Sequence, residues 1–175
     1  TGSNSTEETL HQTKEAESLG ADACLLVTPY YNRPTQEGLY AHFKKVAETT
    51  SVPLVLYNVP GRTGCDLLPE TIGRLSSIEG IVGIKEASGK IERVSEIRSL
   101  SASDFFILSG EDALTLEMMN NGAVGTISVT ANVLPKAMAE FCDSFLSGNI
   151  KRASAIDEVL QSVHEILFIE SNPTP

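Results

Sequence analysis

Short apolar runs recur along the chain at residues 23–28, 54–58, 81–85, 105–109 and 124–129, each rich in Val, Ile, Leu or Phe. Runs of this length with little polar alternation predict strands covered on both faces, as in a parallel sheet. Between them the apolar positions change to helical spacing. Ser5 and Glu8 read as a capping box that opens a helix carrying Leu10, Ala16 and Leu19, and Gly20 ends it. A second helix follows Pro34 and Thr35 and sets Leu39, Phe43, Val46 and Ala47 on one stripe, before Val52 and Pro53 lead into the next strand. Later helices carry Ile91, Val94 and Ile97, then Ala113, Leu114 and Met118, then Leu134, Met138, Phe141 and Phe145. A last long helix over 150–168 repeats Ile156, Leu160, Val163 and Leu167 with no strand after it, the pattern of a packing helix.

Strands that alternate with crossover helices build a parallel sheet with right-handed connections, either open or closed into a barrel. The chain has no GxGxxG or GxxxxGK[ST] loop, which removes the commonest reason to choose an open nucleotide-binding sheet. A complete (β/α)8 barrel takes about 250 residues, and these 175 supply five predicted strands. The expected fold is therefore α/β, a fragment of a (β/α)8 TIM barrel lacking the first strands. Residues 1–149 form the partial barrel in this reading, and 150–175 begin a C-terminal helical region.

Composition narrows the function. With 41% hydrophobic residues and a mean hydropathy of -0.01, the chain has the balance of a globular domain with one core. No apolar run approaches the roughly 20 residues that span a bilayer, and residues 1–9 are polar and acidic where a signal peptide is basic and then apolar. No membrane association is expected. A net charge of -10, with 13 basic residues that form no stripe, argues against nucleic acid as a partner. Cys24, Cys65 and Cys142 are odd in number and show no CxxC or Cys/His cluster, so no metal site is expected and a reducing cytoplasm fits best. His11, His42 and His164 read as solvated imidazoles on helix faces rather than as ligands.

Ligands of parallel α/β folds sit beyond the C-terminal ends of the strands, so polar residues there carry most weight. Lys85 follows Ile81, Val82, Gly83 and Ile84 in a strand expected to be buried. Desolvation lowers an ammonium pKa, and a neutral amine at a barrel mouth is what a carbonyl substrate needs to form an imine. The plain alternative is a lysine that snorkels to Glu86 or to a carboxylate on a neighbouring strand. Tyr57 holds the corresponding place on the preceding strand, where its hydroxyl can shuttle protons; a core tyrosine with a satisfied hydroxyl is the alternative. Arg62 follows in the loop Pro60-Gly61-Arg62-Thr63-Gly64. Its guanidinium fork matches a carboxylate, although a surface arginine on a turn fits the sequence equally.

Several longer segments occur in one order: LLVTPYYNRPTQEGLYAHF, PLVLYNVPGRTGCDLLPETIGRL, GIVGIKEASG, FILSGEDALTLEMMNNGAVGTISVTANV and the terminal ESNPTP. Over essentially the whole chain this pattern resembles the 4-hydroxy-tetrahydrodipicolinate synthase family, historically the dihydrodipicolinate synthases, of the pyruvate-dependent class I aldolase and N-acetylneuraminate lyase superfamily. The resemblance implies a lyase of lysine and diaminopimelate biosynthesis. It condenses pyruvate with L-aspartate 4-semialdehyde through a Schiff base, with no metal or organic cofactor. By the same resemblance Lys85 matches the Schiff-base lysine and Tyr57 the proton-relay tyrosine. Tyr31 matches a tyrosine that crosses a dimer interface, Arg62 the arginine that binds the semialdehyde carboxylate, and Gly110 and Ile127 positions lining the pyruvate pocket. Asn4, Glu8 and Tyr30 match residues that hold inhibitory lysine, and the family assembly is a homotetramer, a dimer of dimers. Full-length members carry two adjacent threonines upstream that hold the pyruvate carboxylate; this chain has no such segment, so by itself it is expected to bind pyruvate poorly.

The competing readings are an N-acetylneuraminate lyase or 2-keto-3-deoxy sugar acid aldolase, a non-catalytic homologue or ligand sensor, and an open-sheet binding protein. Arg62 favours a carboxylate-bearing aldehyde over a sugar chain. A decayed site is expected to have lost at least one of Lys85, Tyr57, Arg62 and Tyr31.

Overall fold

The computed structural model describes residues 1–175. Strands β1 (Cys24–Val27), β2 (Leu54–Asn58), β3 (Ile81–Glu86) and β4 (Phe106–Ser109) form one sheet in the order β1-β2-β3-β4, every pair parallel. Each new strand is laid on the same side of the last. A doubly wound sheet reverses direction at a switch point, whereas a barrel wall grows one way only. The order therefore favours the barrel arc over the open sheet.

Eight helices accompany the strands: α1 (Thr6–Ser18), α2 (Gln36–Ala47), α3 (Pro60–Thr63), α4 (Pro69–Leu75), α5 (Glu92–Leu100), α6 (Thr115–Asn120), α7 (Pro135–Leu146) and α8 (Ile150–Ile166). They cover one face of the sheet. Leu26, Leu54, Leu56, Ile84 and Ile107 point into that layer and are fully buried, with Phe43, Ile97 and Phe141 among the residues packed against them. Each such side chain contributes about 1.5–3 kcal/mol on burial. Ala153 and Leu160 place α8 in the same core. No helix is long and apolar enough to cross a membrane.

The other face of the sheet is half-open, and Leu25, Val27, Tyr57, Lys85, Phe106 and Leu108 lie on it. Gly83 is on this face too: a Cβ there would come within 2.4 Å of the Phe106 ring. Only glycine lets that ring lie across β3.

Three expectations need correction. The fifth strand is cut short of the expected 124–129. Residues 124–127 run beside β4, with Val124 N–H on the Ile107 carbonyl at 2.9 Å and Ile127 N–H on that of Ser109 at 3.0 Å, but there is only one bridge pair, Ser109 with Thr126. The ladder stops because the Asp112 carboxylate takes the next amides, Val129 at 2.8 Å and Thr130 at 2.9 Å, and turns the chain into a short 3-10 turn. The capping box is half made: Ser5 Oγ accepts from Glu8 N–H at 3.3 Å, while the Glu8 carboxylate accepts from Ser3 Oγ at 2.7 Å instead of returning to Ser5.

The histidines are the third correction. His11 is exposed, but His42 and His164 are 6% and 2% exposed. A threonine hydroxyl meets Nδ1 of each, Thr6 at 2.8 Å and Thr130 at 2.7 Å, which offsets part of the cost of burying an imidazole. In addition, α4 was not foreseen, since seven residues are too few to show a helical stripe.

Candidate active site

Alternation along a strand decides which side chains reach the open face. Tyr57 and Lys85 are register partners on β2 and β3, so both project there at the C-terminal end of the sheet. Lys85 Nζ lies over the Tyr57 ring, 4.4 Å from its centroid. Glu86, one residue on, points the opposite way into the helix layer, where it accepts from Asn58 and from Ser88 N–H. The snorkelling lysine is thereby set aside, since none of the ion pairs in the structure involves Lys85.

The electrostatics suit imine chemistry. Burial pushes the Lys85 amine below its ordinary value and the Arg62 charge adds to this, while Asp112 and Glu111 pull it back up. Burial pushes the Tyr57 phenol up, with Arg62 opposing and Glu111 assisting. The amine is moved toward its neutral form, and the phenol keeps its proton at neutral pH.

Gly110 follows β4 and its N–H donates to the Glu86 carbonyl at 2.8 Å. A Cβ at Gly110 would meet Lys85 Cε at 2.8 Å and Ala87 Cβ at 2.7 Å, so the missing side chain is the space that the lysine stem occupies. Ile127 lies beside the same strand end and is partly exposed.

Arg62 sits in α3, a single turn that Pro60 opens and Gly64 closes at φ 68°. With Tyr30, Tyr31, Arg33, Gly61, Thr63 and Gly64 it lines an open cleft of about 670 Å³. Tyr31 and Arg33 have φ of 72° and 45°, left-handed values that cost L-residues of order 1 kcal/mol or more each. The Tyr31 turn is held by its N–H on the Thr63 carbonyl at 3.2 Å and by Asn32 Nδ2 on the Asn4 carbonyl at 2.9 Å. The Tyr31 side chain is 89% exposed. Asn32 also donates its own N–H to the Tyr30 carbonyl at 2.8 Å, so Asn4 and Tyr30 are tied to one turn. Glu8 is in the first turns of α1, with its carboxylate committed to Ser3 and Gln12. A second hollow of about 440 Å³ lies at the opposite end of β3 and β4, between residues 76–82 and Phe105, and it holds no lysine, cysteine or histidine.

Three neighbours had been given no role. Arg62 Nη1 donates to the Asn172 carbonyl at 3.1 Å, across 110 residues of chain. Burial and then the Asp112 charge push the Glu111 carboxyl up, although Lys85 and Arg62 oppose them. Asp112 is buried with Oδ1 unpartnered. Glu111 and Asp112 follow directly on the end of β4, where the strand pattern can locate them; the Asn172 contact is long-range and leaves no local signal. No group of three or more His, Cys, Asp or Glu side chains is gathered closely enough to hold a metal ion.

The chain is similar to known proteins over its whole length. The model of the dihydrodipicolinate synthetase family matches residues 1–175. The 4-hydroxy-tetrahydrodipicolinate synthase of Methylococcus capsulatus is 56% identical over all 175 residues, which span 60% of that relative's length. Among solved structures, the 4-hydroxy-tetrahydrodipicolinate synthase of Methylacidiphilum fumariolicum superimposes with a TM-score of 0.98 at 47% identity, over 100% of this chain and 59% of that one. The chloride-inhibited dihydrodipicolinate synthase of Acinetobacter baumannii, complexed with pyruvate, gives a TM-score of 0.96 at 50% identity, over 99% and 60%. The chain thus spans about 60% of the length of the curated relatives it matches.

Proposed function

The chain belongs to the dihydrodipicolinate synthetase family, and from that premise we propose that its protein condenses pyruvate with L-aspartate 4-semialdehyde in lysine and diaminopimelate biosynthesis. The observation that carries the reading is Lys85, half-buried at a strand end against Tyr57, with its amine shifted toward the neutral form.

In this reading neutral Lys85 Nζ attacks the ketone carbon of pyruvate, and Tyr57 relays protons as the carbinolamine forms and water leaves. Loss of a methyl proton from the protonated imine gives a neutral enamine. The enamine carbon attacks the aldehyde carbon of the semialdehyde, whose carboxylate the Arg62 fork holds. The semialdehyde's own amine then displaces Lys85 from the former ketone carbon, which closes the ring and frees the enzyme. The chemistry uses side chains and the imine alone, without metal or organic cofactor. Gly110 and Ile127 line the pyruvate site, and the pyruvate complex of the Acinetobacter baumannii relative supports that substrate. An exposed Tyr31 beside Arg62 supports an assembly in which this tyrosine completes a neighbouring subunit's relay, within a homotetramer. Asn4, Glu8 and Tyr30 are assigned to a lysine-binding site. Three unpaired cysteines support a reducing compartment, the cytoplasm.

The test is borohydride trapping with pyruvate, with the adduct located by mass spectrometry. With the full-length protein a reduced pyruvate adduct (pyruvate less one water plus two hydrogens) is expected on Lys85, and none in Lys85→Ala. Trapping elsewhere, or cleavage of sialic acid without condensation of the semialdehyde, would sink the proposal.

A further inference from the structure

Behind the open face, the strand ends carry a second polar row: Thr28, Asn58, Glu86 and Ser109 are all buried on the helix side. Alternation seats Asn58 directly behind Tyr57 and Glu86 directly behind Lys85. A buried polar group costs about 1–3 kcal/mol unless it is hydrogen-bonded, and this row is bonded in one particular way.

Asn58 is the hub. Its Nδ2 donates to Glu86 Oε2 at 3.1 Å and to Asp66 Oδ1 at 3.0 Å, and its Oδ1 accepts from Leu67 N–H at 3.0 Å. The bond to Asp66 closes residues 58–66 into a ring with Arg62 in its middle. Arg93, itself buried on α5, grips both oxygens of Asp66 at 2.7 and 3.1 Å. Glu86 Oε1 accepts from Ser88 N–H at 2.7 Å, which pins the turn leaving Lys85. One set of bonds thus spans β2, the Arg62 turn, β3 and α5.

We propose that Glu86 and Asp66, joined through Asn58, are positioning residues: Glu86 sets the strand end that aims Lys85, and Asp66 sets the turn that presents Arg62. The proposal rests on the imine reading above. The oxygens of both carboxylates are taken by Asn58, Ser88 and Arg93, so both act through neighbours. Apolar side chains would fill the same space at a lower desolvation cost, but packing does not orient a strand end as directional bonds do. In Glu86→Gln the new amide cannot accept at both ends, so it sets a donor against either Asn58 Nδ2 or Ser88 N–H. In Asp66→Asn one acceptor of the Arg93 fork is lost, and the single neutral oxygen left to serve both Arg93 and Asn58 holds the ring around Arg62 more weakly.

The experiment uses the full-length protein, with pyruvate and borohydride for the imine and steady-state kinetics for the semialdehyde. Glu86→Gln is expected to slow trapping at Lys85 about tenfold per folded site, the scale of supporting-shell substitutions. Asp66→Asn is expected to raise KM for the semialdehyde about tenfold, with the trapping rate within about twofold of the parent. A merely structural role would lower the folded fraction and leave this split unseen. Parental trapping by folded Glu86→Gln, or a parental KM in Asp66→Asn, overturns the proposal; if Glu86→Gln does not fold, the KM result decides alone. Failure of the parent protein to trap pyruvate at Lys85 is a different outcome and removes the imine reading itself.

Discussion

Lys85 Nζ rests on the face of the Tyr57 ring, 4.4 Å from its centroid, and not on its hydroxyl. Two opposing effects therefore act on one amine. The ring face favours the ammonium by roughly 0.5–2 kcal/mol depending on desolvation, while burial favours the neutral form and lowers the pKa. The contact leaves the phenol oxygen free to serve substrate.

This division of labour separates two substitutions. Imine trapping should increase with pH as Lys85 loses its proton, with a midpoint below 10.5. Tyr57→Phe keeps the ring face, so the midpoint should hold while turnover drops roughly 10²–10⁴-fold with the lost relay. Tyr57→Leu removes the face and should move the midpoint lower still. Coincident pH–rate profiles for all three proteins would contradict the assignment.

Gly110→Ala should impair Lys85 without touching its chemistry. The added methyl lands 2.8 Å from Lys85 Cε and 2.7 Å from Ala87 Cβ. A displaced nucleophile loses up to about 100-fold in rate, and overpacking costs about 1–3 kcal/mol of stability. Trapping kinetics and thermal unfolding measure the two effects, and trapping at the parental rate would show that the lysine has another path.

Arg62→Ala should affect the second substrate. A hydrogen bond from a charged group contributes about 1.5–3 kcal/mol, so KM for the semialdehyde should increase roughly tenfold or more. Pyruvate trapping should fall much less, only as far as the lost Arg62 charge lets Lys85 hold its proton, and equal losses in both assays would place Arg62 in the wrong step.

His42 makes a prediction about stability. Burial lowers its pKa from the ordinary 6.5 to about 4, and only Nδ1 has a partner. The unfolded chain therefore takes up a proton at higher pH than the folded one. Its contribution is fully present above pH 6.5 and is lost as pH falls toward 4. At the limit the loss is on the order of 3 kcal/mol. Urea unfolding from pH 7 to 4 should show the parent losing this much more than His42→Leu; parallel curves would mean that the imidazole titrates normally.

Most of the sheet was legible because its strands are short, apolar and bounded by helical spacing, and β2 was read with its observed limits. The run at 124–129 misled because apolar content alone does not show that Asp112, twelve or more residues earlier, captures the amides that would extend the ladder. His42 and His164 misled for a related reason: a helical position tells which way a side chain points, not which hydroxyl waits there.

Residue order by itself determined that Lys85, Tyr57 and Arg62 stand at strand ends or just beyond, because strand patterning and punctuation are local properties of the chain. Only the tertiary structure decided that Lys85 lies on the Tyr57 ring and that Asn58, Asp66 and Arg93 tie the Arg62 turn to β3. Those relations depend on register and on packing between elements far apart in sequence, and neither is encoded in any single segment.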